Sequence, residues 1–470
     1  MQVVLSTAGA RVSSWKLKQY RSADGSPVDL VAVKDAGAAP GPLAVWTDAE
    51  QAQAVYQVDR ARLDLTGRDE AGTLTFTHVS ASGIETDKKL RFYANLYQVE
   101  VALTLRNLAP AEIAVEPRIA WGPGLRNSLD KKNSTLQAPT LWLDGKRVQE
   151  DLAQTNTEKL HAGALSWAGL QDSYFAAVLI PKEKGLQAFV KKAAEDQPII
   201  GLAAARQALK PGGHAALIAT VFAGPKDLDI LGKVGKDLDS IVDLGWFDFL
   251  ARPALWLLKL LYSFTGNYGI AIIIVTVLQK IAFHPLTAKS LRSMQAMQAI
   301  QPKVQAIQER YKNNPKKKQE ETMSLYRKHG VNPMGGCLPM LVQIPIFIAL
   351  YNALSNSVEM WQARFLWIRD LTQPDALFGV TIWGGYPLNL LALLMGASMW
   401  VQQKMSPPAG DPRQAQMMLW MMPVVFTFMF WSFPSGLVLY WLVNNILQVG
   451  QQWLITRKAP RLAAAEGEGA

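Results

Sequence analysis

A single lysine interrupts a strongly apolar stretch at residues 268–283. Thr276, Lys280 and His284 are spaced by four residues, so on a helix their side chains share one face. A lysine at the centre of a helix in lipid costs about 2.5–3.5 kcal/mol on insertion scales, and it is normally shielded by protein or by a water-filled cavity. Lys280 is therefore a candidate functional residue.

Lys280 also has a simpler interpretation. It lies four residues before His284, about 6 Å along a helix, so its aliphatic stem could carry the amino group to the lipid headgroups. Polar residues in two later apolar segments favour the cavity. They are Gln343, Asn352, Asn444, Asn445 and Gln448. We predict a hydrophilic groove that is open to the cytoplasm and holds one positive charge.

Five apolar segments must supply the helices of such a groove. Each is near or below the roughly 20 residues that cross a hydrocarbon core of about 30 Å. The third has 14 residues, about 21 Å at a rise of about 1.5 Å per residue. Either flanking residues extend it or the bilayer thins around it. The segments cover residues 268–283, 337–354, 388–401, 417–433 and 436–454.

The first half of the chain has a different pattern. Over residues 97–106, valine and leucine alternate with more polar residues, which is the two-residue period of a half-buried strand. Short β-like runs at residues 173–180 and 214–222 are bounded by proline and glycine. We predict an all-β antiparallel sandwich over residues 1–225.

Residues 226–265 are predicted to form a linker and an amphipathic helix. Asp248, Arg252 and Lys259 share one face of a helix over residues 246–264, and aromatic and leucine side chains cover much of the rest. Such a helix is typical of the membrane interface. The alternative is a buried core helix that closes the β-rich domain.

The loops between the apolar segments predict the orientation. Residues 287–331 contain ten basic and three acidic side chains, whereas residues 355–387 contain two basic and three acidic ones. By the positive-inside rule the first loop is cytoplasmic and the second is outside, which also places residues 1–265 outside. The first loop is predicted to be a helical hairpin that is broken at Pro315. Its basic residues could contact RNA or lipid headgroups, or form a solvated face that fixes the topology.

The motifs argue against an enzyme. The sequence has no G-x-x-x-x-G-K-[ST] phosphate loop and no H-E-x-x-H pair, and its five histidines are scattered. Its one cysteine, Cys337, excludes an intramolecular disulfide and a multi-thiolate zinc site. We therefore predict no catalytic residue, metal or cofactor. The formal net charge of +10 is assigned to membrane orientation and not to recognition of a specific nucleic-acid sequence.

Several motifs of the second half resemble those of YidC-type membrane protein insertases, the YidC/Oxa/Alb family. The resemblance runs over residues 246–458, and the β-rich half resembles, more loosely, the large periplasmic domain of Gram-negative members. The matching strings are GNYG (266–269), HPLT (284–287), NPMGGCLP (332–339), QIPIF (343–347) and FPSGLVLY (433–440).

The resemblance implies a multidomain protein of the bacterial inner membrane. A periplasmic β-sandwich of the supersandwich type (1–225) and the interfacial helix with its linker (226–265) precede an α-helical membrane domain of five transmembrane helices (266–458). That domain carries the cytoplasmic helical hairpin, and a short cytoplasmic tail (459–470) follows it. The family has a further transmembrane helix at its N-terminus, which we expect to be missing from this sequence, and we expect no ribosome-binding tail.

The family inserts and folds inner-membrane proteins through a groove open to cytoplasm and lipid, alone or with the Sec translocon. The implied partners are nascent inner-membrane proteins, the Sec translocon, the phospholipid bilayer and, through the cytoplasmic loop, the ribosome. The groove of the family holds a basic residue, usually Arg; here the matching position is Lys280, which keeps the charge but loses bidentate pairing with a carboxylate. The predicted groove residues are Thr276, Lys280, Gln343, Tyr440, Trp441, Asn444 and Gln448.

Two other functions stay open at this point. Polar residues in apolar helices also mark the pathways of small-solute transporters, although no inverted repeat is evident. Similar sandwiches also occur in carbohydrate enzymes, but no acid/base pair stands out in the first half, and fold alone does not give function.

Overall fold

The computed structural model divides into two compact units, Met1–Val242 (unit 1) and Asp243–Ala470 (unit 2). Unit 1 is built mainly from strands and unit 2 mainly from helices, so the predicted order of a β-rich region followed by a helical region is confirmed. Part of one predicted motif, residues 332–337 with Cys337, lies outside the described residues. The structure describes residues 1–22, 24–31, 41–46, 52–67, 70–125, 138–151, 157–193, 197–330, 338–382, 386–405 and 412–467.

Unit 1 is organised around one large antiparallel sheet. Its strands are β1 (Gln2–Ser6), β2 (Arg11–Arg21), β3 (Pro27–Asp29), β4 (Gln57–Val58), β5 (Ala71–Val79), β6 (Ile84–Tyr93), β7 (Gln98–Asn107), β8 (Ile113–Val115), β9 (Arg118–Trp121), β10 (Thr140–Leu143), β11 (Lys146–Gln149), β12 (Lys159–His161), β13 (Leu165–Gln171), β14 (Phe175–Pro181), β15 (Gln187–Lys192), β16 (Pro198–Ala203), β17 (Gln207–Leu209) and β18 (His214–Pro225). The nine-stranded sheet has the order β11-β10-β13-β14-β18-β7-β6-β5-β4, and a four-stranded sheet has the order β12-β15-β16-β9. Strands β1-β2-β3 and β17-β8 form two smaller sheets.

The alternating pattern of residues 97–106 is confirmed in β7. Val99, Val101, Leu103 and Leu105 are fully buried on one face, because every second side chain of a strand points to the same side. The core of unit 1 lies between the two larger sheets, since β13 and β14 pack against β16. Strand β16 is buried along its whole length, as expected for a strand covered on both faces.

A short helix, α1 (Leu228–Val234), follows the last strand of unit 1. Unit 2 then contains α2 (Asp248–Thr265), α3 (Tyr268–Ala282), α4 (His284–Ala299), α5 (Gln301–Arg310), α6 (Pro315–Lys328), α7 (Leu338–Ser355), α8 (Leu390–Met405), α9 (Pro412–Phe430) and α10 (Ser435–Gly467). The loop between α7 and α8 also contains the two-residue strands β19 (Thr381–Ile382) and β20 (Tyr386–Pro387).

Helices α3 and α4 form a bent pair. Pro285, at the second position of α4, has no backbone N–H to donate to the preceding turn, so a continuous helix is broken there. The axes of Tyr268–Ala282 and His284–Met297 differ by 64°. Together the two pieces have the length and apolar composition of a membrane span, whereas no single helix within the described part of the chain meets both criteria.

Helices α5 and α6 pack against each other across a turn at residues 311–314. Val304 is buried on the inner side of α5. The side chain of Asn314 caps α6 by accepting a hydrogen bond from the backbone N–H of Lys317 at 3.1 Å, and Pro315 occupies the first helical position. The break between α5 and α6 is therefore produced by the Asn314 cap and by Pro315, rather than by a change in side-chain polarity.

Helix α2 is amphipathic and belongs to unit 2. Leu255 and Leu258 are buried where α2 packs against α3 and α7. Trp256 and Phe264 are exposed, and Lys259 forms an ion pair with Glu359 of the loop after α7 at 2.6 Å. One side of α2 is thus fixed to the helical unit, and the other presents aromatic rings.

The most unusual polar residue of unit 1 is Lys88, in the middle of β6. Its side chain is fully buried, and its amino group donates hydrogen bonds to the backbone oxygens of Ala10 and Leu43. These carbonyls belong to two segments that are remote from β6 in sequence, so Lys88 holds both against the large sheet. Burial lowers the pKa of Lys88 from 10.5 to about 7, because a charged amino group is poorly solvated there.

This lowered pKa makes the stability of unit 1 depend on pH. Below about pH 7 the amino group is charged in both states, and the folded chain bears the full desolvation cost. Between about pH 7 and 10.5 the folded chain is neutral while the unfolded chain still binds the proton, so stability rises with pH. From pH 6 to pH 9, the free energy of unfolding should rise by about 2–3 kcal/mol in the native protein relative to Lys88→Met, whose side chain does not titrate.

The measurement is urea unfolding of unit 1 in the full-length protein in detergent, followed by pulse proteolysis with an antibody against an N-terminal tag. Lys89→Met is the matched control, because Lys89 is the exposed neighbour on the same strand. If the Lys88→Met and Lys89→Met proteins differ from the native protein by the same amount at every pH, the buried amino group does not titrate as stated.

Candidate functional site

The candidate site is built on α3, whose start is fixed by Asn267. The Asn267 side chain accepts a hydrogen bond from the backbone N–H of Ile270 at 3.2 Å, and its amide donates to the carbonyl of Arg364 at 3.2 Å. It therefore caps the helix and ties it to the loop between α7 and α8. The helix then runs through isoleucine and valine to Lys280 in its last turn.

Lys280 contacts one side chain of α10. Its amino group donates a hydrogen bond to Oε1 of Gln448 at 2.8 Å, and both side chains are half-buried. No ion pair of Lys280 occurs among the described residues. A lysine has three N–H donors, and only one of them has an acceptor within the described residues. The amino group thus has no carboxylate partner among the described residues and has donors to spare.

A second chain of hydrogen bonds crosses from α3 to α7 and α10. Gln279 donates to Oε1 of Gln343 at 3.3 Å, and the amide nitrogen of Gln343 donates to the hydroxyl of Tyr440. We call Gln279, Lys280, Gln343, Tyr440 and Gln448 the polar cluster. It joins three helices that would otherwise meet through apolar side chains alone.

One turn further, α4 and α10 are also joined. Nδ1 of His284 and Nε2 of Gln451 lie 2.6 Å apart, within hydrogen-bonding distance. Since Lys280 and His284 are one turn apart, as are Gln448 and Gln451, the two polar contacts follow each other along the same pair of helices. The bend after α3 therefore does not separate α4 from α10.

Several amide oxygens near the polar cluster are buried without a hydrogen-bond partner within the described residues. They are Oε1 of Gln279, Oδ1 of Asn444 and Oε1 of Gln451. A buried polar atom without a partner costs about 1–3 kcal/mol, so such atoms are normally satisfied by ordered water or by a ligand. The arrangement is suited to a cavity that takes up water or a polar peptide segment.

Three of the sequence-predicted residues, Thr276, Trp441 and Asn444, lie outside the polar cluster. The Thr276 hydroxyl is fully buried and donates to the carbonyl of Ile272 at 2.7 Å, within its own helix. Trp441 packs edge-on against Phe347 at 5.0 Å between ring centroids and also contacts Phe430 at 5.3 Å. Lys280 contacts Gln448, and Gln343 contacts Tyr440, in two separate hydrogen bonds between helices. Asn444, one turn from both Tyr440 and Gln448 on α10, is buried, and its Oδ1 has no hydrogen-bond partner among the described residues.

The sequence analysis overlooked Gln279 and Gln451. Each is a glutamine inside an apolar segment, which is the same signal that identified Gln343 and Gln448. The charge of the neighbouring Lys280 made that residue the more prominent candidate, so Gln279 was not predicted. The spacing of residues along one helix does not show which polar residues of different helices face one another.

The other ends of the same helices form an apolar cluster. It packs α3, α7, α8 and the start of α10 together with the loop that follows α7. Its buried members are Leu258, Tyr268, Ala271, Ile272, Val275, Leu350, Leu354, Met360, Ile368, Leu371, Leu391, Met395, Phe430, Leu437, Val438, Leu439 and Tyr440. Tyr440 thus lies where the apolar cluster meets the polar cluster.

The loop after α7 is fastened over this apolar cluster by backbone hydrogen bonds. The N–H of Ser435 donates to the carbonyl of Gln373 at 2.8 Å, and the N–H of Gly436 donates to that of Leu371 at 2.8 Å. Asp375 accepts from the backbone N–H of Leu391 at 2.9 Å and so caps α8. The loop satisfies the first N–H groups of two helices, which would otherwise be unpaired.

Asp370 gives this loop its tight turn. Its carboxylate accepts hydrogen bonds from the N–H of Gln362 at 3.2 Å and from the N–H and hydroxyl of Thr372 at 2.8 and 2.6 Å. Burial raises the pKa of Asp370 despite these hydrogen bonds, which favour the ionised form. The carboxylate serves the loop and has no recorded contact with the polar cluster.

Known proteins match the chain along nearly its whole length. The family model described as YidC periplasmic domain matches residues 1–257, and the one described as 60Kd inner membrane protein matches residues 260–462. The membrane protein insertase YidC of Syntrophus aciditrophicus (strain SB) is 37% identical over 468 residues, 97% of this chain and 84% of that protein. The membrane protein insertase YidC of Pelobacter propionicus is 40% identical over 463 residues, with the same coverage of 97% and 84%. A crystal structure described as an active YidC insertase with the first transmembrane domain resolved is 19% identical, with a TM-score of 0.40 over 95% of this chain and 89% of that one.

A glycine lets the loop approach the start of α3. A Cβ at Gly269 would overlap the ring of Phe365, whereas a Cβ at Gly450, on α10, meets no atom within 4 Å. Gly269→Ala should therefore destabilise unit 2 by about 1–3 kcal/mol, because the loop or the ring must shift. Gly450→Ala should be neutral or stabilise the helix by up to about 1 kcal/mol. The thermal stability of both proteins in detergent, followed by loss of monodisperse protein, checks this difference. Equal melting temperatures would contradict the close packing of Phe365 on α3.

Proposed function

The chain belongs to the YidC family of membrane protein insertases, and on that premise we propose how its polar cluster takes part in insertion. The protein is an inner-membrane insertase with a periplasmic domain, and it acts on nascent membrane proteins. Membership of this family favours an insertase over the solute transporter and the sugar-active enzyme. The observation that carries the proposal is the Lys280 amino group, which is held among apolar helices by a neutral partner.

Five helices cross the membrane in this proposal: α3, α7, α8, α9 and α10. The excess of basic residues over 287–331 puts that loop, which contains α5 and α6 as a helical hairpin, in the cytoplasm. Residues 1–265 then lie on the periplasmic side, and the tail of residues 459–470 is cytoplasmic. Helix α2 lies in the outer interface, a position supported by its exposed aromatic side chains.

The groove opens to the cytoplasm and the lipid and is closed towards the periplasm. Both α3 and α10 enter the bilayer from the periplasmic side, and in both the residues of the apolar cluster mostly precede those of the polar cluster. The loop fastened over the apolar cluster would add to the seal. Buried amide oxygens without partners support a hydrated interior.

The barrier between groove and periplasm is thin in this proposal. Helix α3 has 15 residues, which corresponds to about 22 Å at 1.5 Å per residue, less than the hydrocarbon core of about 30 Å. A bilayer adapts to short helices by thinning around them. A polar segment that has entered the hydrated groove then has a shorter apolar layer to cross.

Lys280 supplies the attraction for acidic segments. An acidic extracytoplasmic segment of a substrate enters the groove from the cytoplasm, and its carboxylate meets the amino group of Lys280. The apolar segment that follows partitions into the lipid beside the groove, and burial of its apolar surface drives the step without nucleotide hydrolysis. Lys280 offers a point charge without the fork geometry of an arginine, so the attraction is less directional.

The wider partners follow from the same arrangement. The basic hairpin α5–α6 is exposed along much of its length and is positioned to meet the ribosome or anionic lipid. The Sec translocon would deliver larger substrates to the lipid-facing side, and the protein would act alone on small ones. No cofactor takes part.

Variants of Lys280 test the role of the charge. In cells depleted of their own insertase, Lys280→Arg should support insertion of a single-spanning substrate with an acidic periplasmic tail to within about twofold of the native protein. Lys280→Ala should reduce it about tenfold, since a charge-assisted contact of about 1.4 kcal/mol is lost. Protease protection of the tail in spheroplasts measures insertion.

The same substrate with a neutral tail is the control, and immunoblotting checks that all variants reach equal levels in the membrane. If Lys280→Ala inserts the acidic-tail substrate as well as the native protein does, Lys280 is an anchor at the headgroups, and the polarity of the groove alone must account for insertion.

The orientation is tested by labelling. After Cys337→Ser has removed the only cysteine, single cysteines are introduced by Lys184→Cys, in an exposed turn of unit 1, and by Lys317→Cys, in α6. A membrane-impermeant maleimide should label the first in intact spheroplasts and the second only after lysis. Labelling of Lys317→Cys in intact spheroplasts would contradict the cytoplasmic hairpin.

A further inference from the structure

The contact between Lys280 and Gln448 has a property that a purely structural pair does not need. Both side chains are half-buried, and the acceptor is an amide oxygen rather than a carboxylate. Two N–H donors of the amino group lack an acceptor within the described residues. The amino group is therefore held in place by a neutral partner and can donate to further acceptors.

Lys88 shows how the same protein fixes a lysine permanently. That amino group is fully buried and is held by two backbone carbonyls, Ala10 and Leu43, which cannot move away from it without unfolding the segments around them. Gln448, in contrast, reaches Lys280 with a flexible side chain that is only half-buried, so it can rotate away. The hydrogen bond between Lys280 and Gln448 can therefore break and re-form without a change in the backbone.

We propose that the amide oxygen of Gln448 occupies the place that a substrate carboxylate takes at Lys280, and that the substrate must displace it. This inference rests on the proposed function and adds a selection step to it. A neutral acceptor, such as a backbone carbonyl or a serine hydroxyl, only exchanges one neutral oxygen for another and gains little. A carboxylate gains the attraction between two full charges and so replaces Gln448.

The surroundings of Gln448 are suited to its release. Asn444 lies one turn earlier on the same face of α10 with a buried Oδ1 that has no recorded partner, and Gln451 lies less than one turn later. A displaced Gln448 amide therefore finds other amide groups nearby, and through them water, so its release leaves no isolated polar group. Backbone movement is not required.

The test compares Gln448→Glu and Gln448→Leu with the native protein, using two substrates that differ only in an acidic or a neutral periplasmic tail. Gln448→Glu places a permanent carboxylate at Lys280, so the ratio of acidic-tail to neutral-tail insertion should fall about tenfold, as in Lys280→Ala. Gln448→Leu removes the internal acceptor and leaves an uncharged, apolar side chain at that position. Acidic-tail insertion should then equal or exceed that of the native protein at limiting substrate.

Gln416→Glu is the matched control, because it makes the same substitution at an exposed residue of α9 that takes no part in the contact. If Lys280→Ala lowers the insertion ratio but Gln448→Glu does not, Gln448 is not at the carboxylate position, and the inference fails while the proposed function stands. If Gln448→Leu lowers acidic-tail insertion as much as Lys280→Ala, Gln448 positions Lys280 and is not displaced. If Lys280→Ala itself changes nothing, the role of the charge in the proposed function fails first.

Discussion

An amino group must find polar partners wherever the chain places it, and Lys88 and Lys280 both lie among apolar side chains. The amino group of Lys88 donates hydrogen bonds to two backbone carbonyls and is fully buried, so it stabilises the packing of unit 1. Lys280 is half-buried and has a single amide oxygen as its partner. The number and mobility of the acceptors, rather than the residue type, separate a structural lysine from one that can bind a ligand.

In the proposed function, the helical unit must give Lys280 access to water at one end of the helices and form an apolar seal at their other end. Helices α3 and α10 are apolar in their first turns and become polar in later ones, so a single pair of helices provides both environments. Tyr440 lies at the boundary, with its ring in the apolar cluster and its hydroxyl bonded to Gln343. An amphipathic ring is well suited to such a boundary, because its body is apolar and its tip is polar.

The sequence predicted the type of these residues better than their partners. Alternation identified the strands of unit 1, and a polar residue inside an apolar run identified Lys280, Gln343 and Gln448. The pairing of Lys280 with Gln448 depends on the rotation of α10 against α3, which is set by distant packing between the start of α10 and the loop at Leu371. Lys88 was missed although it stands at an inward position of β6, because a charged residue in an alternating pattern is usually taken for the solvent side.

A lysine at position 280 differs physically from an arginine at the same position. An arginine would bring the same charge, but it presents five donors in a rigid plane, and the contact recorded at Lys280 offers one side-chain oxygen. Each buried donor left without an acceptor costs about 1–3 kcal/mol, so an arginine would need more water or more amides around it. A lysine needs fewer partners, and its flexible stem can carry the amino group from Gln448 to an incoming carboxylate while α3 and α10 stay in place. A site that exchanges an internal partner for an external one is therefore easier to build around a lysine.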